Sequence, residues 1–165
     1  MVVKRIVLIL SAALSAVLFS ATLENGAHDF ETAFGLLAPG GTAYVDDGVY
    51  EIRNRVLLGG TFGTKVISLN GPANCVVKAA ADSRFESLAL CMFEMTAVDA
   101  RLEGLTLAGG RKGLLNPTTG ATTYGTVSMK SAGAVVTNCV IRDVTGAARG
   151  PAGAGVNMEA GTLVD

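Results

Sequence analysis

Residues 127–141, VSMKSAGAVVTNCVI, decide the fold, because the chain states this passage more than once. Phe93-Glu94-Met95 stands thirty-four residues before Val127-Ser128-Met129, and Gly104-Leu105-Thr106-Leu107 stands thirty-four before Asn138-Cys139-Val140-Ile141. Val156-Asn157-Met158-Glu159 restates Val127-Ser128-Met129-Lys130. Gly161-Thr162-Leu163-Val164 restates Gly133-Ala134-Val135-Val136, which sets Asp165 opposite Thr137. Self-similarity at roughly 20–50 residues signals a repeat architecture, in which each unit buries its apolar face only by stacking on a neighbour.

Parity within each copy is that of short strands. Phe93 and Met95 face one way, as do Val127 and Met129, and Val156 and Met158, while Glu94, Ser128 and Asn157 face the other. Leu105 and Leu107, Cys139 and Ile141, and Cys75 and Val77 form a second inward pair, with Thr106 on the outer side. Two short strands per repeat, joined by Gly- and Asn-bearing turns, describe a coil that winds and stacks. An antiparallel sandwich would reverse direction and would not set like residues over like. The columns expected from stacking are Met95, Met129 and Met158 on one inner wall, and Cys75, Leu105 and Cys139 on another. A Met column can bind soft copper, but in a core without Trp it reads as gap-filling side chains.

Asn74, Gly104 and Asn138 align just before the Cys-or-Leu strand. Asn and Gly are the residues that tolerate φ > 0, so a sharp bend is expected at all three. The same alignment bears on the thiols. At the usual strand spacing of ~4.8 Å, Cys75 and Cys139 fall roughly 9–10 Å apart, beyond the ~7 Å between Cα atoms that a disulfide allows. Both are expected as buried thiols. Cys91 follows an irregular stretch and is expected to react sooner.

Composition agrees with strands. Half of the 165 residues are apolar but only 5% are aromatic, and 21 are Gly against 4 Pro. Charge is near balance at −1, which gives no reason to expect nucleic acid or an anionic membrane surface as partner. Lys4 and Arg5 precede an uncharged apolar run, Ile6 to Phe19, and small residues follow at Ser20 and Ala21. That is the layout of a secretory signal peptide over residues 1–21, with an uncleaved membrane anchor as the alternative. Without it, eleven basic side chains face fourteen acidic ones.

The rest of the chain divides into residues 22–38, a leading segment, and residues 39–165, the repeats. Asp29 is placed to cap a short amphipathic helix through Leu37, with Phe30, Ala33, Phe34 and Leu37 on one face. Thr42 to Val45, Asp46-Asp47-Gly48 and Val49 to Ile52 then read as strand, turn, strand. Val66 to Leu69, an Asn70-Gly71-Pro72 turn and Cys75 to Val77 follow.

The passages APGGTAYVDDGVYEI, LNGPANCVV, ARLEGLTLAGG and TNCVIRDVTG resemble the start of a right-handed parallel β-helix of the pectate-lyase-like superfamily. The resemblance covers residues 29–165 and implies a single-stranded all-β solenoid behind a short capping helix, incomplete at its C-terminal end. It implies less about activity, since enzymes, adhesins and phage tailspikes share the scaffold. Its polysaccharide-cleaving members place carboxylates, calcium and a basic residue on an outer face. The residues here that answer to such a patch are Asp99, Arg101 and Glu103, which alternate and so point outward together. Nothing beside them completes a catalytic set. The paired aspartates and Gly-His-Gly segment of the galacturonases and the calcium-binding aspartates of the lyases are absent from the sequence, and its one His is His28. Asp46-Asp47 reads as a turn pair, with a calcium ligand as the alternative. Gly59 to Lys65 lacks the Gly-Lys-Ser/Thr order of a phosphate loop.

The expectation is therefore an exported, non-catalytic β-helix at the cell surface, in the periplasm or outside the cell. It would be a rigid scaffold for extracellular polysaccharide or a surface protein, with no cofactor. The alternatives are the N-terminal part of a polysaccharide lyase or glycoside hydrolase whose site lies beyond residue 165, where calcium would enter, and a tail-fibre-like rod.

Overall fold

The computed structural model describes residues 4–10, 17–23, 40–59, 64–81, 91–110, 125–144 and 155–164. The capping helix expected over Asp29–Leu37, and His28, lie outside the described residues.

The chain is a right-handed parallel β-helix with three faces. The first coil is β3 (Thr42–Val45), β4 (Gly48–Ile52) and β5 (Val56–Leu58). The second is β6 (Lys65–Ser68), β7 (Cys75–Ala79) and β8 (Phe93–Met95). The third is β9 (Arg101–Glu103), β10 (Thr106–Ala108) and β11 (Val127–Met129). The fourth is β12 (Val135–Thr137), β13 (Val140–Arg142) and β14 (Val156–Met158), after which β15 (Thr162–Val164) begins another turn. Each coil thus has three strands, one more than the two expected from parity. Like strands stack into three sheets: A (β3-β6-β9-β12-β15), B (β4-β7-β10-β13) and C (β5-β8-β11-β14). All pairings within these coils are parallel.

β1 (Lys4–Leu10) and most of β2 (Val17–Leu23) fall within residues 1–21, the expected signal peptide. They pair antiparallel with each other, and β1 pairs antiparallel with the edge of β3, Ile6 opposite Val45. Among the described residues no helix is long and apolar enough to cross a membrane.

The interior is apolar and built in columns. Val66, Leu102 and Val136 stack inside sheet A, Val77 and Leu107 inside sheet B, and Phe93 and Val127 inside sheet C. Each is fully removed from water, and burying a side chain of this size is worth ~1.5–3 kcal/mol. The first coil is closed, with Val45, Ile52 and Leu58 fully buried, whereas Met158 and Leu163 in the last strands are exposed.

Two turns explain local residue choice, and one expectation needs correction. Between sheets A and B, Gly104 (φ 69°) and Asn138 (φ 48°) take the left-handed conformation in two-residue connections. Asn74 does not: its coil inserts Leu69 to Asn74 between β6 and β7, and the positive φ moves to Gly71 (84°). Asn74 instead donates from Nδ2 to the Asn70 carbonyl at 3.1 Å. Gly133 has another reason. A Cβ there would lie 1.7 Å from the Val98 carbonyl oxygen, so the turn before β12 rests directly on the turn before β9.

The register at the last strand also differs from the sequence alignment. Val164 pairs with Thr137 and Leu163 with Val136; Asp165, expected opposite Thr137, lies outside the described residues. The turn at residues 159–161 is two residues shorter than its counterpart at 130–134, one more than the alignment of the repeats allows, which moves β15 one position from the aligned register.

Candidate functional site

The patch expected at Asp99, Arg101 and Glu103 resolves into an ion pair and a turn. Arg101 and Glu103 are the two outward positions of β9, and Arg101 Nε donates to Glu103 Oε2 at 2.7 Å. Asp99 is not on that strand; it lies in the turn that precedes it. Stacking places Lys65 of the second coil beside Arg101, and Ile67 beside Glu103. On the other side stand Val135 and Thr137 of the fourth coil. The outer face of sheet A is therefore a surface of mixed character on which Glu103 is already matched by Arg101.

A second polar group emerges on sheet C. Leu57, Glu94, Ser128 and Asn157 occupy the outward position in successive coils and pair in register. Parity places these side chains outside the core, yet Glu94 and Ser128 are buried, while Leu57 is exposed. The Glu94 carboxylate accepts from Arg55 of the first coil through Oε2, and from Lys130 Nζ through Oε1 at 2.7 Å. Lys130 follows β11, so this one carboxylate ties the first, second and third coils together. Ser128 Oγ and Asn157 Nδ2, next along the column, are sealed from solvent and have no hydrogen-bonding partner in the protein. The sequence signal was present only as Glu94, Ser128 and Asn157 sharing one parity.

The thiols also stand in place. Cys75, Leu105 and Cys139 occupy successive positions ahead of the paired residues Val76, Thr106 and Val140. All three cysteines are free, and Cys139, expected as a buried thiol, is only half-buried in the fourth coil. Burial pushes the Cys75 thiol up to about 12, and burial likewise raises Cys139. Cys91 corrects an expectation: it is buried rather than accessible, and burial pushes its thiol up to about 11. Such thiols are protonated at neutral pH and are poor nucleophiles. Met95 and Met129 are fully buried, with Met158 above them at the exposed end.

The Asp46–Asp47 pair is a turn. Asp46 Oδ1 accepts from the Asp47 amide at 2.8 Å, and Asp47 Oδ1 accepts from Asn70 Nδ2 of the next coil at 2.9 Å. Among the described residues no three His, Cys, Asp or Glu side chains gather in a group that could hold a metal ion.

No family model matches this chain, and no curated protein or solved structure matches it.

Proposed function

We propose that the chain is an exported, non-catalytic β-helix, a rigid scaffold that offers the outer face of sheet A to an extracellular glycan or a surface protein. The observation that carries this reading is the in-register stacking of β3, β6, β9, β12 and β15. It repeats outward positions at the ~4.8 Å strand spacing over several coils, which suits an extended partner better than a compact one. Lys65 and Arg101, adjacent on that face, supply the cationic donors. Cleavage of an anionic glycan by β-elimination needs its carboxylate neutralised and a base for the adjacent proton. Arg101 instead has its charge balanced by Glu103 of its own strand, to which its Nε donates, which leaves the rest of the guanidinium to hydrogen-bond but not to neutralise a carboxylate. The reading thus favours contact over chemistry.

The test is retention of the full chain on immobilised acidic and neutral polysaccharides and on cell-surface extract, with polygalacturonate and alginate assayed for cleavage with and without calcium. The expected result is retention on at least one matrix, weakened several-fold by Lys65→Ala with Arg101→Ala, and a flat absorbance trace for unsaturated product. Retention on none, or product formation lost in Arg101→Ala, overturns it.

A further inference from the structure

Ser128 and Asn157 stand side by side on β11 and β14, on the outer side of sheet C. Ser128 has no exposed surface, and Ser128 Oγ and Asn157 Nδ2 are both sealed and unpartnered in the protein. A buried polar group left unsatisfied costs ~1–3 kcal/mol, and two adjacent ones are unusual in a native protein. Glu94 is the next residue of the same column. Its two oxygens receive Arg55 and Lys130, but a carboxylate offers about four acceptor sites, so capacity remains.

We infer that an ordered water molecule is bound between the third and fourth coils, held by Ser128 Oγ and Asn157 Nδ2. Residues paired across neighbouring strands are ~4.8 Å apart. Two hydrogen bonds of about 2.8 Å meeting at one oxygen reach across that interval, whereas a direct bond would draw the two side chains to ~3 Å. Water accepts from the Asn157 amide, and it either donates to or accepts from the Ser128 hydroxyl. It would serve equally well with the amide turned about, because it both donates and accepts. Buried waters typically make about three hydrogen bonds, and Glu94, one strand along in the same column, has acceptor capacity for a third.

The competing guests fit less well. A cation would meet an amide N–H on one side and the Arg55 and Lys130 charges on the other. A sugar hydroxyl would have to reach a serine that has no surface in contact with solvent. The bound water therefore belongs to the scaffold and pins the fourth coil to the third. This holds whether or not sheet A binds a partner, since the two lie on different faces.

The experiment is nuclear Overhauser spectroscopy between water and the labelled full chain. The expected result is a cross-peak of slow-tumbling sign from a long-lived water to the Asn157 side-chain amide and the Ser128 backbone amide, lost in Ser128→Ala while the remaining spectrum stays folded. Asn157→Ala, in the outermost complete coil, gives the same loss at Ser128 should Ser128→Ala fold poorly. Absence of the cross-peak in the wild-type chain overturns the inference. So does crystal density showing a direct Asn157–Ser128 or Asn157–Glu94 bond, or displacement of the cross-peak by added mono- and oligosaccharides.

Discussion

Replacing Glu94 by Gln keeps the shape of the side chain and removes the charge that joins three coils. The Glu94 side chain is 10% exposed and its partners Arg55 and Lys130 are 40% and 33% exposed. Each hydrogen bond to a charged group contributes ~1.5–3 kcal/mol when buried. Both cations can regain water once released, and pairs open to solvent are worth only ~0–1 kcal/mol. Between these limits we expect Glu94→Gln to destabilise the chain by about 2 kcal/mol. For a chain of this length that is a fall in melting temperature of roughly 4–8 °C. Urea titration followed by circular dichroism measures it. Because the carboxylate is buried, the loss should persist in 0.5 M salt, at roughly a ~4 Å Debye length. Glu94→Leu combined with Arg55→Met should recover part of it, since an apolar replacement for a buried ion pair is often neutral. A change within about 0.5 kcal/mol for Glu94→Gln at both low and high salt would refute the reasoning, because it would mean a solvated carboxylate.

Leu105→Ala should lower stability by about 3 kcal/mol, as for a fully buried leucine leaving a cavity in a stacked column, and Leu105→Asp should prevent folding, both read by the same titration. Thr106, on the outer side by parity, is nevertheless buried and donates from Oγ1 to the Pro72 carbonyl at 2.7 Å, so Thr106→Asp should destabilise by more than about 1 kcal/mol. Gly133→Ala should cost several times a surface change, or misfold the turn, because its Cβ would overlap the Val98 carbonyl; thermal melts within 1 °C of the parent would refute that contact. Stability should decline in alkali: Cys75 and Cys91 ionise near 9 when unfolded but only at about 12 and about 11 when folded. The unfolded chain then binds fewer protons above pH 9, and each thiol removes ~1.4 kcal/mol per pH unit until its folded pKa is passed. Cys75→Ala with Cys91→Ala should flatten that decline between pH 9 and 11.

The stacked columns were legible because Met and Cys are rare enough that Met95 over Met129, or Cys75 in line with Cys139, stands out against the background. The third wall, sheet A, stayed hidden because β9 and β12 each turn a single residue inward, Leu102 and Val136, so no inward pair marks that face. Turn length was illegible for a related reason. Nothing in residues 159–161 announces that they do the work of 130–134, and one missing position reassigns Thr137 from Asp165 to Val164. The Glu94–Ser128 column was legible as to side but not as to burial. Alternation tells which way a side chain leaves the sheet; it does not tell what lies above it. Asp99 looked like a strand residue because alternation with Arg101 and Glu103 continues one step past the first hydrogen-bonded position.

Coils that pair only with the coil before and the coil after also make the molecule a mechanical object with a definite step. Met95 and Met129 are thirty-four residues apart along the chain yet one strand spacing apart in space. Pulled from its last strand, the rod has no reason to yield all at once; it should peel. Releasing the coil between those two methionines would lengthen a tether by roughly 110 Å, at ~3.4 Å per extended residue less one strand spacing. The coil between Met129 and Met158, twenty-nine residues, would give a shorter step. The force trace of this protein should therefore be an uneven staircase whose treads spell out its loop lengths.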